Sequence, residues 1–251
     1  MLPIVNDKVK LSADSRERLA MFEDRFMIGE NGQYNGMGHI IYACHVAFPL
    51  LITPELANLI WLNFKGYRQN NEAKTIRNIA VSDFLLSPLV RQVATGLFEV
   101  IPDIRTYLLY LLSSQTWFGM KGVEKFGVDN ERLLVLAEFL KQYIATKAST
   151  GEKDFADFKD LNDVAWMAYL KPGQLTLKMA KSLQQEMSSS DRAGVIRLNA
   201  ILEKVQHQYS AGIYVVQTNA IQDIKNLTSY SRGVARCSVG EKQLGDLATI
   251  S

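Results

Sequence analysis

The sequence predicts an all-α protein, an irregular helical array of stacked helix pairs. Three observations predict it. Apolar residues recur at three- and four-residue spacing along most of the chain, the period of one helix face. Helix starts of the cap-then-proline type recur, at Thr53-Pro54 and at Ser87-Pro88. Runs that alternate apolar with polar residues, the signature of half-buried strands, are scarce.

The elements follow in chain order. "ENGQYNG" reads as a loop or small hairpin ahead of the first strong helix. "MGHIIYACHVAF" then sets Ile41, Cys44 and Phe48 on one stripe that ends at Pro49. A second helix starts in "ITPELANLIWLNF", with Thr53 as cap, Pro54 first, and Glu55 at the positive end of the dipole. Leu56, Leu59, Ile60 and Phe64 form its face. Tyr42 to Phe64 is therefore two helices meeting at "PLLIT". His45, Pro49, Pro54, Glu55 and Asn58 interrupt it too often for a membrane span.

In "LLSPLVRQVATGLFEV", Ser87 is expected to cap a helix that carries Leu89, Val93 and Leu97 on one face. "PDIRTYLLYLL" aligns Ile104, Leu108 and Leu111 or Leu112. "DNERLLVLAEFLKQYI" has Asp129 as cap and Leu133, Leu136, Ala137, Leu140 and Ile144 as its stripe. After the polar "ATKASTGEKDFADFK", two helices flank Lys171-Pro172 as a tight connection. Val195, Leu198, Leu202 and Val205 mark another helix. Gly212 to Arg236 is expected to be helical, with a short strand at "AGIYVVQT" as the alternative. The expected organisation is an N-terminal segment, 1–36, and a first helical subdomain, 37–147. A polar linker, 148–159, leads to a second subdomain, 160–251, packed with the first as one unit.

Composition narrows the function classes. Net charge is +2, from 28 basic and 26 acidic residues, too balanced to predict nucleic-acid binding from bulk electrostatics. The opening residues lack a basic head followed by an apolar core, so no secretory signal is expected and the protein is expected to be cytoplasmic. Cys44 and Cys237 are expected to be free thiols, with a single disulfide as the alternative.

No residue constellation declares a chemistry. Cys44 and His45 are adjacent, so on a helix they point about 100° apart and neither activates the other. Cys44 is expected in the core. Three histidines and two cysteines show no paired metal-ligand spacing, and no metal or cofactor is expected. "GENGQYNGMG" has the glycines of a phosphate loop without its lysine. The acid pairs Glu23-Asp24 and Asp157-Asp160 read as solvated faces and caps. Trp61, Trp117 and Trp166 lie in or beside apolar stripes and read as core.

The strongest local electrostatic feature is "KGYRQNNEAKTIRN". Lys65, Arg68, Lys74 and Arg77 face one acid, Glu72, with Tyr67 interleaved. It is expected to be a basic inter-helix loop, and as a polar insertion between apolar helices it is the candidate binding site.

The motifs "ACHVAFPLLITPELANLIWLNF" and "VSDFLLSPLVRQVATGLFEV", with Arg105 and Leu108-Leu109, resemble a helical region of bacterial multidomain proteins. Ala168-Tyr169 with Lys171-Pro172 and "YSRGVARCSVG" extend the likeness. In that family the region is joined to CHAT or caspase-like proteases, TIR domains or STAND NTPases. The resemblance implies an adaptor in bacterial immunity or signalling whose partner is another protein chain, a caspase-like protease or other effector. No protease, TIR or NTPase motif stands in these 251 residues. The expected function is thus a non-enzymatic regulatory subunit. A single-stranded nucleic-acid binder using Lys65, Tyr67, Arg68, Lys74 and Arg77 is one alternative. A hydrolase with His39, His45 or His207 as base is the other.

Overall fold

The computed structural model describes residues 11–26, 37–69, 72–113, 131–149, 155–188, 201–202, 226 and 229. The expectations for "ENGQYNG", the Asp129 cap, Trp117, His207, Cys237 and the chain after Gly212 as a whole lie outside them, as does most of the helix around Val195. The elements begin with α1 (Ala13–Phe26), α2 (Met37–Val46) and α3 (Pro54–Phe64). Then come β1 (Gly66–Gln69), β2 (Glu72–Thr75), α4 (Ile79–Leu85), β3 (Val90–Ala94) and β4 (Leu97–Val100). The series closes with α5 (Pro102–Ser113), α6 (Glu131–Ala148), α7 (Phe155–Leu170) and α8 (Pro172–Ser188). Among the described residues the protein is mainly helical with two small antiparallel strand pairs, and so is not purely all-α.

Both strand pairs correct the sequence reading. The expected helix from Ser87 is the β3–β4 hairpin, which places Val90 opposite Val100 and Arg91 opposite Glu99. Ser87 Oγ still accepts a hydrogen bond, from Leu89 N at 3.3 Å, but it closes a turn and starts no helix. Gly96, at φ +68, makes the reversal that a side chain would strain. The tertiary reason lies in Ile52. Its N–H donates to Phe98 O and its C=O accepts from Phe98 N, both at 2.9 Å, which extends the sheet by one residue. The second correction is the basic "loop", which is the β1–β2 hairpin.

Chain contacts divide the protein into two compact units, with the boundary inside α7 between Trp166 and Met167. In the first unit α2 is apolar nearly all round and is packed against α3, α4 and α5. Every stripe residue expected on α5 and α6 is buried, as are Ile41, Cys44, Phe48, Leu56, Ile60 and Phe64. Thr53 caps α3 as expected, its hydroxyl accepting from Leu56 N at 3.1 Å, with Pro54 first in the helix. Ser12 and Ser15, at the start of α1, hold the Asp103 carboxylate of α5 through donors at 2.7–3.0 Å. Burial raises the Asp103 pKa, but those hydrogen bonds outweigh it and the net shift is downward.

Ala47 to Thr53 is the irregular link between two buried helices, so its peptide groups need partners away from water. Arg105, itself buried, donates to the carbonyls of Phe48 at 2.5 Å and Pro49 at 3.3 Å. Asn162 of α7 accepts from Leu50 N and Leu51 N at 2.8 and 3.1 Å and donates to Leu51 O at 3.0 Å. With the Ile52–Phe98 pair, three elements distant in sequence satisfy one turn. Leaving one such buried group unpaired costs on the order of 1–3 kcal/mol.

The second unit holds the end of α7 and α8. Lys171 alone separates them, as expected, with its N–H donating to Met167 O at 2.8 Å and its C=O accepting from Leu175 N at 3.0 Å. Leu175, Met179 and Leu183 are buried on one face, while Leu177 is 63% exposed.

Candidate functional site

The candidate site grows out of the C-terminus of α3. Lys65 ends that helix, and Gly66 opens β1 directly after it. Asn70-Asn71, residues that tolerate left-handed backbone, separate β1 from β2 in sequence. The register pairs Gly66 with Thr75, Tyr67 with Lys74, Arg68 with Ala73 and Gln69 with Glu72. Ile76 N donates to Lys65 O at 2.7 Å, closing the base of the hairpin. Trp61 Nε1 donates to Ile76 O at 2.9 Å, and the Lys65 ammonium lies 4.9 Å from the Trp61 ring centre. Trp61 is thus the half-buried post on which the hairpin is mounted, and the expectation that it packs in the core is only half met.

Strand alternation decides which of the expected residues meet. Lys65, Tyr67, Lys74 and Ile76 share one pleat face, where Ile76 is buried and the other three are half-buried. Gly66, Ala73, Thr75 and Arg77 fall on the other face and are exposed. The four expected residues whose side chains are described therefore divide between the two faces, and the Arg68 side chain lies outside those described. Lys65, Tyr67 and Lys74 share one side, with the Lys65 ammonium over the Trp61 ring, whereas Arg77 takes the other. Burial raises the Tyr67 pKa, so its phenol stays protonated at neutral pH.

Beside the hairpin the flanking helices expose large apolar side chains. Leu62 of α3 is 50% exposed and Ile79 of α4 is 48% exposed. Leu86, one residue past α4, reaches 84%.

The alternative chemical candidates are held in the core. Cys44 is a free, fully buried thiol whose pKa is pushed up by desolvation. His45 is fully buried, and both ring nitrogens are engaged. Nδ1–H donates to Ile41 O at 2.6 Å, and Nε2 accepts from Arg132 Nε at 2.9 Å. Burial first, and the Arg132 charge second, push its pKa down to about 3. The neutral ring spends its lone pair on Arg132, whose guanidinium lies 4.9 Å from the Phe64 ring centre. His39 pairs with Asp83 at 2.9 Å and stacks on Phe26.

The acid pair at Glu23-Asp24 needs correction, because Glu23 is buried on the inward face of α1 while Asp24 is exposed. Trp166 donates from Nε1 to Asp163 Oδ1 at 2.8 Å. Among the described residues no cluster of His, Cys, Asp or Glu is placed to hold a metal ion. Among them, too, no helix is long and apolar enough to cross a membrane.

Asn162 and Arg132 escaped the sequence reading. A signal existed for Asn162, which follows Phe158 by one helical turn and so interrupts an apolar stripe with an amide. Arg132 carried none, since an arginine in the first turn of an amphipathic helix ordinarily faces water.

No protein-family model matches the chain, and comparisons with curated proteins and with solved structures return no significant match.

Proposed function

We propose that the protein is a non-enzymatic interaction or regulatory subunit that docks a separate effector. The observation that carries this is the β1–β2 hairpin. It is a basic element whose outer face is exposed, mounted between two helices that expose Leu62 and Ile79. A polar element flanked by uncovered apolar side chains suits a partner protein, since apolar anchors supply affinity and charge supplies specificity. On this reading the capped pairs α2–α3 and α7–α8 are units of an irregular array of stacked helix pairs, and the protein acts in the cytoplasm. The sequence resemblance adds the setting, bacterial immunity or signalling, and the partner class, a caspase-like protease or other effector.

A single-stranded nucleic-acid binder is the second reading. It calls for cations tracking one groove with an aromatic platform, and the pleat divides these cations between two faces. A hydrolase ranks third, because His45 uses its lone pair within the core.

Affinity purification of the tagged protein from its host, followed by native mass spectrometry, tests the proposal. A stoichiometric protein that survives high salt, and is lost from a Lys74→Glu/Arg77→Glu variant, is the expected outcome. Recovery of the bare chain, or of nucleic acid stripped by salt, contradicts it.

A further inference from the structure

The hydrogen-bond phase of the β1–β2 ladder determines which backbone groups face outward. In an antiparallel pair, residues that exchange hydrogen bonds alternate with residues that do not. The bond from Ile76 N to Lys65 O makes Lys65 and Ile76 a bonded pair. Tyr67–Lys74 and Gln69–Glu72 are then bonded pairs as well, two and four positions along. Gly66–Thr75 and Arg68–Ala73 are the non-bonded pairs. The N–H and C=O groups of Ala73 and Thr75 therefore point away from β1, along the outer edge of β2. Among the described residues no further strand pairs with that edge.

A free edge whose amides and carbonyls repeat every second residue is a template for another strand. Proteins blunt such edges with proline, a bulge, an inward charge, lysine or a very short strand, and β2, four residues long and carrying Lys74, has the last two. The bulge here lies elsewhere, between Gln92 and Ala94 of β3, and β2 holds no proline. Its exposed side chains, Ala73 and Thr75, are small and leave room for a neighbour at normal strand spacing. Lys74 and Arg77 set the charge beside this edge, with Glu72 the only acid between Lys65 and Arg77.

We infer that β2 is a strand-addition site, and that its occupant is an extended acidic segment of the partner protein. The inference rests on the docking proposal above and names how the hairpin docks. Main-chain hydrogen bonds to Ala73 and Thr75 supply affinity, and acidic side chains on the two faces of the added strand meet Lys74 on one and Arg77 on the other. The recognised chemistry is a carboxylate-bearing β-strand, and a helix or a phosphate backbone offers no main-chain edge to match.

Proline at position 75 isolates the main-chain contribution. It deletes an outward N–H that the internal ladder does not use, and proline is tolerated on such edges. Phage-displayed peptides of about ten residues, with Asp or Glu fixed on both faces of the strand, are selected on the full chain. The enriched peptide is measured by fluorescence anisotropy, together with an oligothymidylate. The expected result is binding weakened at least about tenfold by Thr75→Pro and by Lys74→Glu/Arg77→Glu, and retained within about twofold by Thr75→Val. Peptide binding should also slow amide exchange at Ala73 and Thr75, which decides the matter if Thr75→Pro does not fold.

A selection that enriches nothing, or a peptide that ignores Thr75→Pro and leaves both amides unprotected, overturns strand addition. So does oligothymidylate binding that the charge variant abolishes and the proline spares. The docking proposal is tested separately. An effector captured from the host that is sensitive to charge reversal but insensitive to Thr75→Pro keeps docking and removes the strand. Peptide binding at β2 with no host partner does the reverse.

Discussion

The two hairpins have the same topology and similar lengths, yet they are held by different means. β3–β4 is part of the core assembly. Ile52 closes the outer edge of β4 through both main-chain groups of Phe98, and Leu89 O accepts from Ile101 N at 3.0 Å. Arg18 reaches from α1 to Pro88 O at 3.2 Å, and Arg91 pairs across the strands with Glu99, whose side chain is 6% exposed. β1–β2 is tied at its base, by Ile76 N to Lys65 O and by Trp61 to Ile76 O. The lesson is that the role of a short hairpin lies in where its outward amides go. Those of β4 end in the protein, and those of β2 face outward.

The largest expected effect comes from the turn that holds Ile52. Arg105→Met removes the donor from two buried carbonyls and should cost about 3 kcal/mol in denaturant unfolding. Amide exchange should rise in β3–β4 while β1–β2 is unchanged. A uniform rise across both hairpins would break the distinction between them.

Acid should also act on the core before the free hairpin. The His45 pKa near 3 lies below its ordinary 6.5, so the unfolded chain takes up the proton first. Stability from this group is full above pH 6.5 and falls as pH drops from there toward 3. His45→Gln should flatten the slope between pH 6 and 4, as read from thermal unfolding at each pH.

A smaller effect is expected at Arg91→Met, about 1 kcal/mol, because Glu99 is buried but Arg91 is 59% exposed. The smallest belongs to Lys74→Glu/Arg77→Glu. Stability should change by no more than about 0.5 kcal/mol in chemical unfolding while partner binding is lost. A large loss of stability there would mean that the charges serve the fold.

Much of the helical frame was legible in the sequence. Thr53, Pro54, the stripes of α5 and α6 and the Lys171 break depend on local rules of capping, period and backbone restriction. The strand pairs were not legible, for two different reasons. At Ser87-Pro88 the local signals imitate a helix start, and Leu89, Val93 and Leu97 happen to keep four-residue spacing. The edge partner that favours a strand is Ile52, far back in the chain. In the basic segment, Tyr67 and Lys74 pair within two four-residue strands, too short to show alternation against so many polar neighbours. The candidate residues were identifiable by their charge, but their division between two faces depends on the register. That Arg105 and Asn162 act on one turn was not legible for a third reason, since the clamp exists only where distant elements meet.

One pair of substitutions tests the contrast between the hairpins most directly: proline at the outward amide of each, with unfolding free energy as the readout. Phe98→Pro deletes the N–H that Ile52 O accepts. It should cost about 2–3 kcal/mol more than Phe98→Ala. Thr75→Pro should stay within about 1 kcal/mol of the natural sequence. Equal losses at the two positions would contradict the account, because the fold would then depend on the outer edge of β2 no less than on that of β4.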